Sequence, residues 1–167
     1  MRHPSDGEAW SHFDTTFTDF ISVSRNVRLG LASDDFNPFG TMRLSYSMWP
    51  VILIPYNIPP WRTMTDLSFM VALLIPGLDL AGRDIDVYLR PLIDELKILW
   101  KTGVETYDCV SKEKFNLCAA LMWIVNDFPT YGYLFGCSTN GYKACPTCKE
   151  DTTSVRLRDK LSYIGQR

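Results

Sequence analysis

The sequence predicts an α/β fold in which three strands are followed by a crossover helix and a fourth strand. Three observations carry this expectation. Apolar residues alternate from Val27 toward Asp34, further apolar and β-branched runs are closed by proline and glycine, and one long amphipathic stripe lies between Ile85 and Lys101. A chain of 167 residues, 46% hydrophobic and 22% charged, is long enough to bury such a core as one domain.

Residues 1–26 are polar and punctuated by Trp10, Phe13, Phe17 and Phe20, which predicts an irregular lead-in or a short helix. In the first strand Val27, Leu29 and Leu31 alternate with Arg28 and Gly30, and the segment runs through Asp34 into the turn signal Asn37-Pro38-Phe39-Gly40. The second strand lies between Ser47 and Tyr56. Its Pro50 and Pro55 predict a short or edge strand, because proline cannot donate to a ladder. The third, Phe69 to Ile75, has the length of a buried strand and is stopped by Pro76-Gly77. The helix spans Ile85 to Lys101, with Ile85, Tyr88, Leu89, Leu92, Leu96 and Leu99 on one stripe. Asp84 is placed to cap its start, and Gly103 lies just past its end. After a polar connection, the apolar run Asn116 to Val125 is the fourth strand, closed by Asn126-Asp127-Phe128-Pro129. From Gly132 onward the composition reads as loop.

This element order is how a ribonuclease-H-like fold begins. There the fourth strand lies parallel beside the first after a right-handed crossover. Asp34 and Asp127, 93 positions apart, would then converge at the ends of neighbouring strands. The expected plan is a lead-in over 1–26, a partial ribonuclease-H-like domain over 27–131, and a cysteine-containing loop or insertion over 132–167.

Composition excludes several classes of function. Lys+Arg number 17 against 19 Asp+Glu, a formal charge of -2, which excludes nucleic-acid binding by bulk basicity. The longest unbroken apolar run, Leu117 to Val125, is nine residues, well short of the about 17–25 of a membrane helix, so no membrane partner is expected. The N-terminal residues lack the apolar core of a signal peptide, and the five cysteines are odd in number. Together these predict an intracellular, reduced chain. Walker A, G-x-G-x-x-G and G-x-S-x-G sequences are absent, and the two histidines, His3 and His12, sit far from the other candidates.

Two convergent carboxylates are costly to ionise unless a cation lies between them. Hard oxygen ligands favour Mg²⁺ or Mn²⁺, and such a pair could serve phosphoryl transfer. Asp34 and Asp127 are therefore candidate catalytic metal ligands, with Asp35 a rival for the first. The plainer reading is that each is a turn residue at a strand end. Cys145-Pro-Thr-Cys148 has the C-x₂-C spacing of half a Zn²⁺ site, with Cys137 the nearest third candidate; the alternative is two reduced loop cysteines. Cys109 and Cys118 read as packed thiols, and Trp49, Trp61, Trp100 and Trp123 as core. Arg156, Arg158, Lys160 and Arg167 form the basic cluster, either a phosphate contact or a solvated surface.

The chain also resembles a known family. Asp6-Gly-Glu-Ala-Trp10, Arg25 to Asp34, Phe36-Asn-Pro-Phe39, Tyr46 to Val51, Pro55-Tyr-Asn57, Asp84 to Leu96, Gly103 to Asp108, Asn126-Asp-Phe-Pro129 and Cys145-Pro-Thr-Cys148 resemble the plant CACTA (En/Spm-type) transposases, in order and over nearly the whole length. The resemblance implies a DDE-type, ribonuclease-H-like domain that cuts and joins DNA at terminal inverted repeats. Two aspartates and a later glutamate with Mg²⁺ (or Mn²⁺) would carry the reaction. By the same resemblance Asp34 is the first acid, Asp127 the second, and the partner is transposon-end DNA in the nucleus, although no localisation run is evident. Asp35 stands where the family has glycine, and Gln166 where it has histidine in Gly-His-Arg. The expectation is a fragment that stops before the third acid and is inactive alone. The alternative is a non-enzymatic DNA- or protein-binding remnant whose uncovered sheet edge invites a partner or an oligomer.

Overall fold

The computed structural model describes residues 3–34, 37–39, 47–63, 65, 68–77, 81–127, 130, 134, 154–158 and 161–163. Helices α1 (Glu8–Thr16) and α2 (Thr18–Ser22) precede β1 (Val27–Ser33) and β2 (Ser47–Pro55). A short α3 (Pro60–Thr63) leads to β3 (Met70–Gly77), then to the long α4 (Ala81–Lys101). There follow β4 (Val104–Asp108), β5 (Glu113–Leu117), β6 (Ala119–Val125), β7 (Ser154–Arg156) and β8 (Leu161–Tyr163).

One four-stranded sheet has the order β3-β2-β1-β6, with β2 antiparallel and β6 parallel to β1. That is the arrangement expected of a partial ribonuclease-H-like fold, including the fourth sheet strand beside the first. The edge-strand expectation for β2 fails: it is nine residues long and lies between β3 and β1. Its prolines fall at the limits of the pairing with β1, where Pro55 is the register partner of Leu29. Pro50 lies just outside the stretch Val51 to Pro55 that pairs with β1, and the Tyr56 amide, not Pro55, donates to the Arg28 carbonyl.

Other expectations shift in detail. Of the lead-in aromatics, Trp10 and Phe13 lie on α1, Phe20 lies on α2 and Phe17 lies between the two helices. The sheet strand β3 runs through Gly77 instead of stopping before Pro76, and α4 begins at Ala81, so Asp84 lies inside its first turn rather than at its cap. Ile85, Leu89, Leu92 and Leu96 of α4 are buried, each stabilising by about 1.5–3 kcal/mol, whereas Tyr88 is exposed. Pro91 has no amide to donate within the helix and lies on its exposed side. Gly103 ends the helix in the left-handed region, φ 71°, and its amide reaches back to the Ile98 carbonyl.

The stretch read as a polar connection is a hairpin, β4 paired antiparallel with β5. Its strands are half exposed, so their apolar signal is thin. Arg25 holds it, lying 4.6 Å over the Phe115 ring and ion-paired to Asp108 at 3.3 Å and Glu113 at 3.8 Å. The tail read as loop contains the small pair β7–β8.

The chain divides into two compact units. One comprises Met1–Ser33, Pro50–Leu74 and Leu89–Val125, and its core includes Phe20, Leu29, Leu31, Val51, Tyr56, Leu89, Leu92, Leu96, Ala119 and Ala120. The other comprises Asp34–Trp49, Ile75–Tyr88 and Asn126–Arg167, and buries Trp49, Ile75 and Ile85. Of the tryptophans read as core, Trp61 is 76% exposed. Cys109, read as packed, is exposed, while Cys118 is half-buried.

Candidate functional site

Asp34 follows the last residue of β1, and Asp127 lies two residues beyond the end of β6. These strands are parallel neighbours, and Ala32 pairs with Val125. Each aspartate therefore sits two residues past the same register pair, and both belong to the second unit. Both are exposed. The Thr130 amide donates to Asp127 Oδ1 at 2.9 Å, which is the turn role that the plainer reading assigned to this residue. Oδ2 is the Asp127 atom left outside that bond. Among the described residues, no group of three or more His, Cys, Asp or Glu side chains lies together.

The starts of the same strands are built quite differently. Asn26 is buried; its Nδ2 donates to the Phe20 carbonyl at 2.8 Å and its Oδ1 accepts from the Cys118 amide at 2.9 Å. Asn57 Nδ2 donates to the Asn26 carbonyl at 2.8 Å, and Asn57 Oδ1 accepts from the Arg28 amide at 2.6 Å. Two asparagines thus tie β1, the end of β2 and the start of β6 through backbone groups that no ladder reaches.

Arg28 is the other polar group sequence reasoning overlooked. Its side chain is 11% exposed and ion-pairs with Asp14 of α1. The guanidinium lies 4.4 Å over the Trp10 ring and 5.6 Å from those of Phe13 and Phe20. The lead-in helices are in this way fastened to β1 by a cation inside an aromatic box. Trp10 also stacks on Trp123 of β6, centroids 6.0 Å apart, and Tyr56 meets Trp123 edge-on at 5.3 Å. Burial pushes the Tyr56 phenol above its ordinary range. The signal was present in sequence as one arginine in a strand and four aromatics before it, but their meeting is tertiary.

A groove of about 560 Å³ in the first unit is lined chiefly by apolar side chains, Phe13, Phe17, Leu96, Trp100 and Met122 among them. His12 and Lys97 are its ionisable members. Its lining includes no carboxylate. Arg156 and Arg158 of the basic cluster are exposed; Lys160 and Arg167 lie outside the described residues, as do Asp35, Cys137, Cys145, Cys148 and Gln166.

Among protein families, the model of the transposase family tnp2 matches residues 1–167. No curated protein matches the chain. Nor does any solved structure.

Proposed function

The chain belongs to the transposase family tnp2, and from that premise we propose that Asp34 and Asp127 are the first two acids of a DDE-type catalytic centre for DNA strand cleavage and transfer. A transposase acts on DNA, and the long motif matches favour the CACTA type, with terminal inverted repeats as substrate and the nucleus as the place of action. The observation that carries the site is register. Two carboxylates leave neighbouring parallel strands at the same level, in a chain of transposase ancestry.

The donor set fits a hard divalent cation, since carboxylate oxygens suit Mg²⁺ or Mn²⁺ and the exposure of both aspartates leaves DNA room to approach. When bound, such an ion lowers the pKa of a water and stabilises the leaving oxygen of the phosphodiester. The chain's own part is to hold the two carboxylates in step just past the ends of two paired strands. Thr130 keeps Asp127 in one orientation through Oδ1, which leaves Oδ2 to face a ligand. The two acids assigned here are expected to hold metal. Cys145 and Cys148 would contribute half of a separate zinc site.

The test is Mn²⁺ binding followed by electron paramagnetic resonance, with Asp34→Asn and Asp127→Asn beside the parent. Each substitution is expected to weaken binding by about 10–100-fold. Unchanged affinity in both variants would sink the metal reading and leave Asp127 as the turn residue that its bond to Thr130 makes it. Mg²⁺-dependent nicking of an inverted-repeat duplex, abolished in both variants, would support the two aspartates as catalytic acids.

A further inference from the structure

The ladder between β1 and β6 is irregular. Val27 pairs with Ala119, 92 positions on, and Leu29 with Leu121; but Gly30 pairs with Trp123, and Ala32 with Val125, 93 positions on. Met122 is the residue skipped, a one-residue bulge in a parallel pair, where bulges are rare. At the first offset Asp34 would come level with Asn126, and Asp127 would project from the opposite face, because side chains alternate along a strand. The separation of Asp34 and Asp127 is likewise 93.

Packing explains why the ladder resumes at Trp123. Its partner Gly30 has no side chain, and the Tyr56 ring occupies that space: a Cβ there would lie 2.6 Å from the ring. The same Tyr56 ring meets Trp123 edge-on, and Trp10 stacks on Trp123. Trp123 is the residue with the surface to fill this place, and Met122 in its stead would leave the stack unmade.

We propose that the bulge is a positioning device: by absorbing Met122 it brings Asp127 into step with Asp34, with Gly30, Tyr56 and Trp123 as the positioning residues. Its catalytic consequence rests on the metal reading above, whereas its geometry does not.

Disulfide trapping reads the register without any metal. In the 167-residue chain, Asp34→Cys combined with Asp127→Cys is expected to form the linking disulfide on mild oxidation, identified by peptide mass mapping. Strands in step place the two Cα atoms within the about 4.4–6.8 Å that a disulfide spans. Deleting Met122 leaves each later pair as it is, so that chain should keep the crosslink and, with the aspartates restored, hold Mn²⁺ within about threefold of the parent. Inserting one alanine between Trp123 and Ile124 should abolish the crosslink and weaken Mn²⁺ binding about tenfold or more, as Asp127→Asn does. Should the insertion prevent folding, the deletion alone decides. Loss of the crosslink on deleting Met122 with circular dichroism unchanged, or its survival in a folded insertion chain, overturns the proposal. The expected crosslinks in a chain that binds no Mn²⁺ would support the register and overturn only the metal reading.

Discussion

The two ends of the β1–β6 pair use polar residues in opposite ways. At the strand starts Asn26 and Arg28 are buried, and the carboxamide of Asn26 is bonded at both of its ends to backbone. At the strand ends Asp34 and Asp127 are exposed, and Asp127 Oδ1 accepts the Thr130 amide within its own turn. A buried polar group without partners costs about 1–3 kcal/mol, so the strand starts tolerate little change. Carboxylates that face water cost the fold little. The contrast separates residues that hold the sheet from residues the sheet presents.

Substitutions at the two ends test this difference. The largest effect is expected for Arg28→Met, which leaves Asp14 without its cation and empties the aromatic box. A loss of about 2–4 kcal/mol in urea unfolding is expected, moderated because Asp14 is partly exposed. Asn26→Ala removes the acceptor of the Cys118 amide and the donor to the Phe20 carbonyl, and is expected to cost about 2 kcal/mol in the same measurement. Asp127→Asn keeps an oxygen for Thr130 and should change stability by less than about 0.5 kcal/mol while weakening Mn²⁺ binding. A loss as large as that of Asn26→Ala would erase the distinction between the two ends.

The smallest effect belongs to the hairpin. The Val110 amide above all, then the Ser111 hydroxyl, hold the Asp108 carboxyl below its ordinary 3.8 against an opposing effect of desolvation, with smaller help from the Ser111 amide and the Arg25 guanidinium. A carboxyl depressed in the folded chain stabilises it fully above the unfolded value, and that stabilisation is lost as pH falls through the folded value. Unfolding followed from neutral pH down to acid should therefore show a small loss of stability below the ordinary Asp range, absent in Asp108→Asn. An equal loss in the variant would remove Asp108 as its source.

Much of the sheet was legible because burial imposes a period. The alternation of Val27, Leu29 and Leu31 and the stripe of Ile85, Leu89, Leu92 and Leu96 follow from each element hiding one face. Asp34 and Asp127 were legible as strand-end residues, since the strands before them were. The β4–β5 hairpin was not, because a half-exposed ribbon held by Arg25 needs few apolar residues of its own. The central place of β2 was also hidden: Pro50 and Pro55 argue for an edge until the pairing shows that both fall at the limits of the paired stretch.

Sequence alone set the succession of the sheet strands along the chain, the crossover helix and which acids close the first and last of those strands. It did so because local hydrophobic periodicity and turn chemistry are properties of neighbouring residues. Tertiary structure alone decided that Arg28 would lie among Trp10, Phe13 and Phe20, and that Met122 would be skipped. The physical reason is distance along the chain. Tyr56 rests on Gly30 and against Trp123, three residues brought together from three strand segments, and their fit sets a one-residue offset that no local pattern encodes.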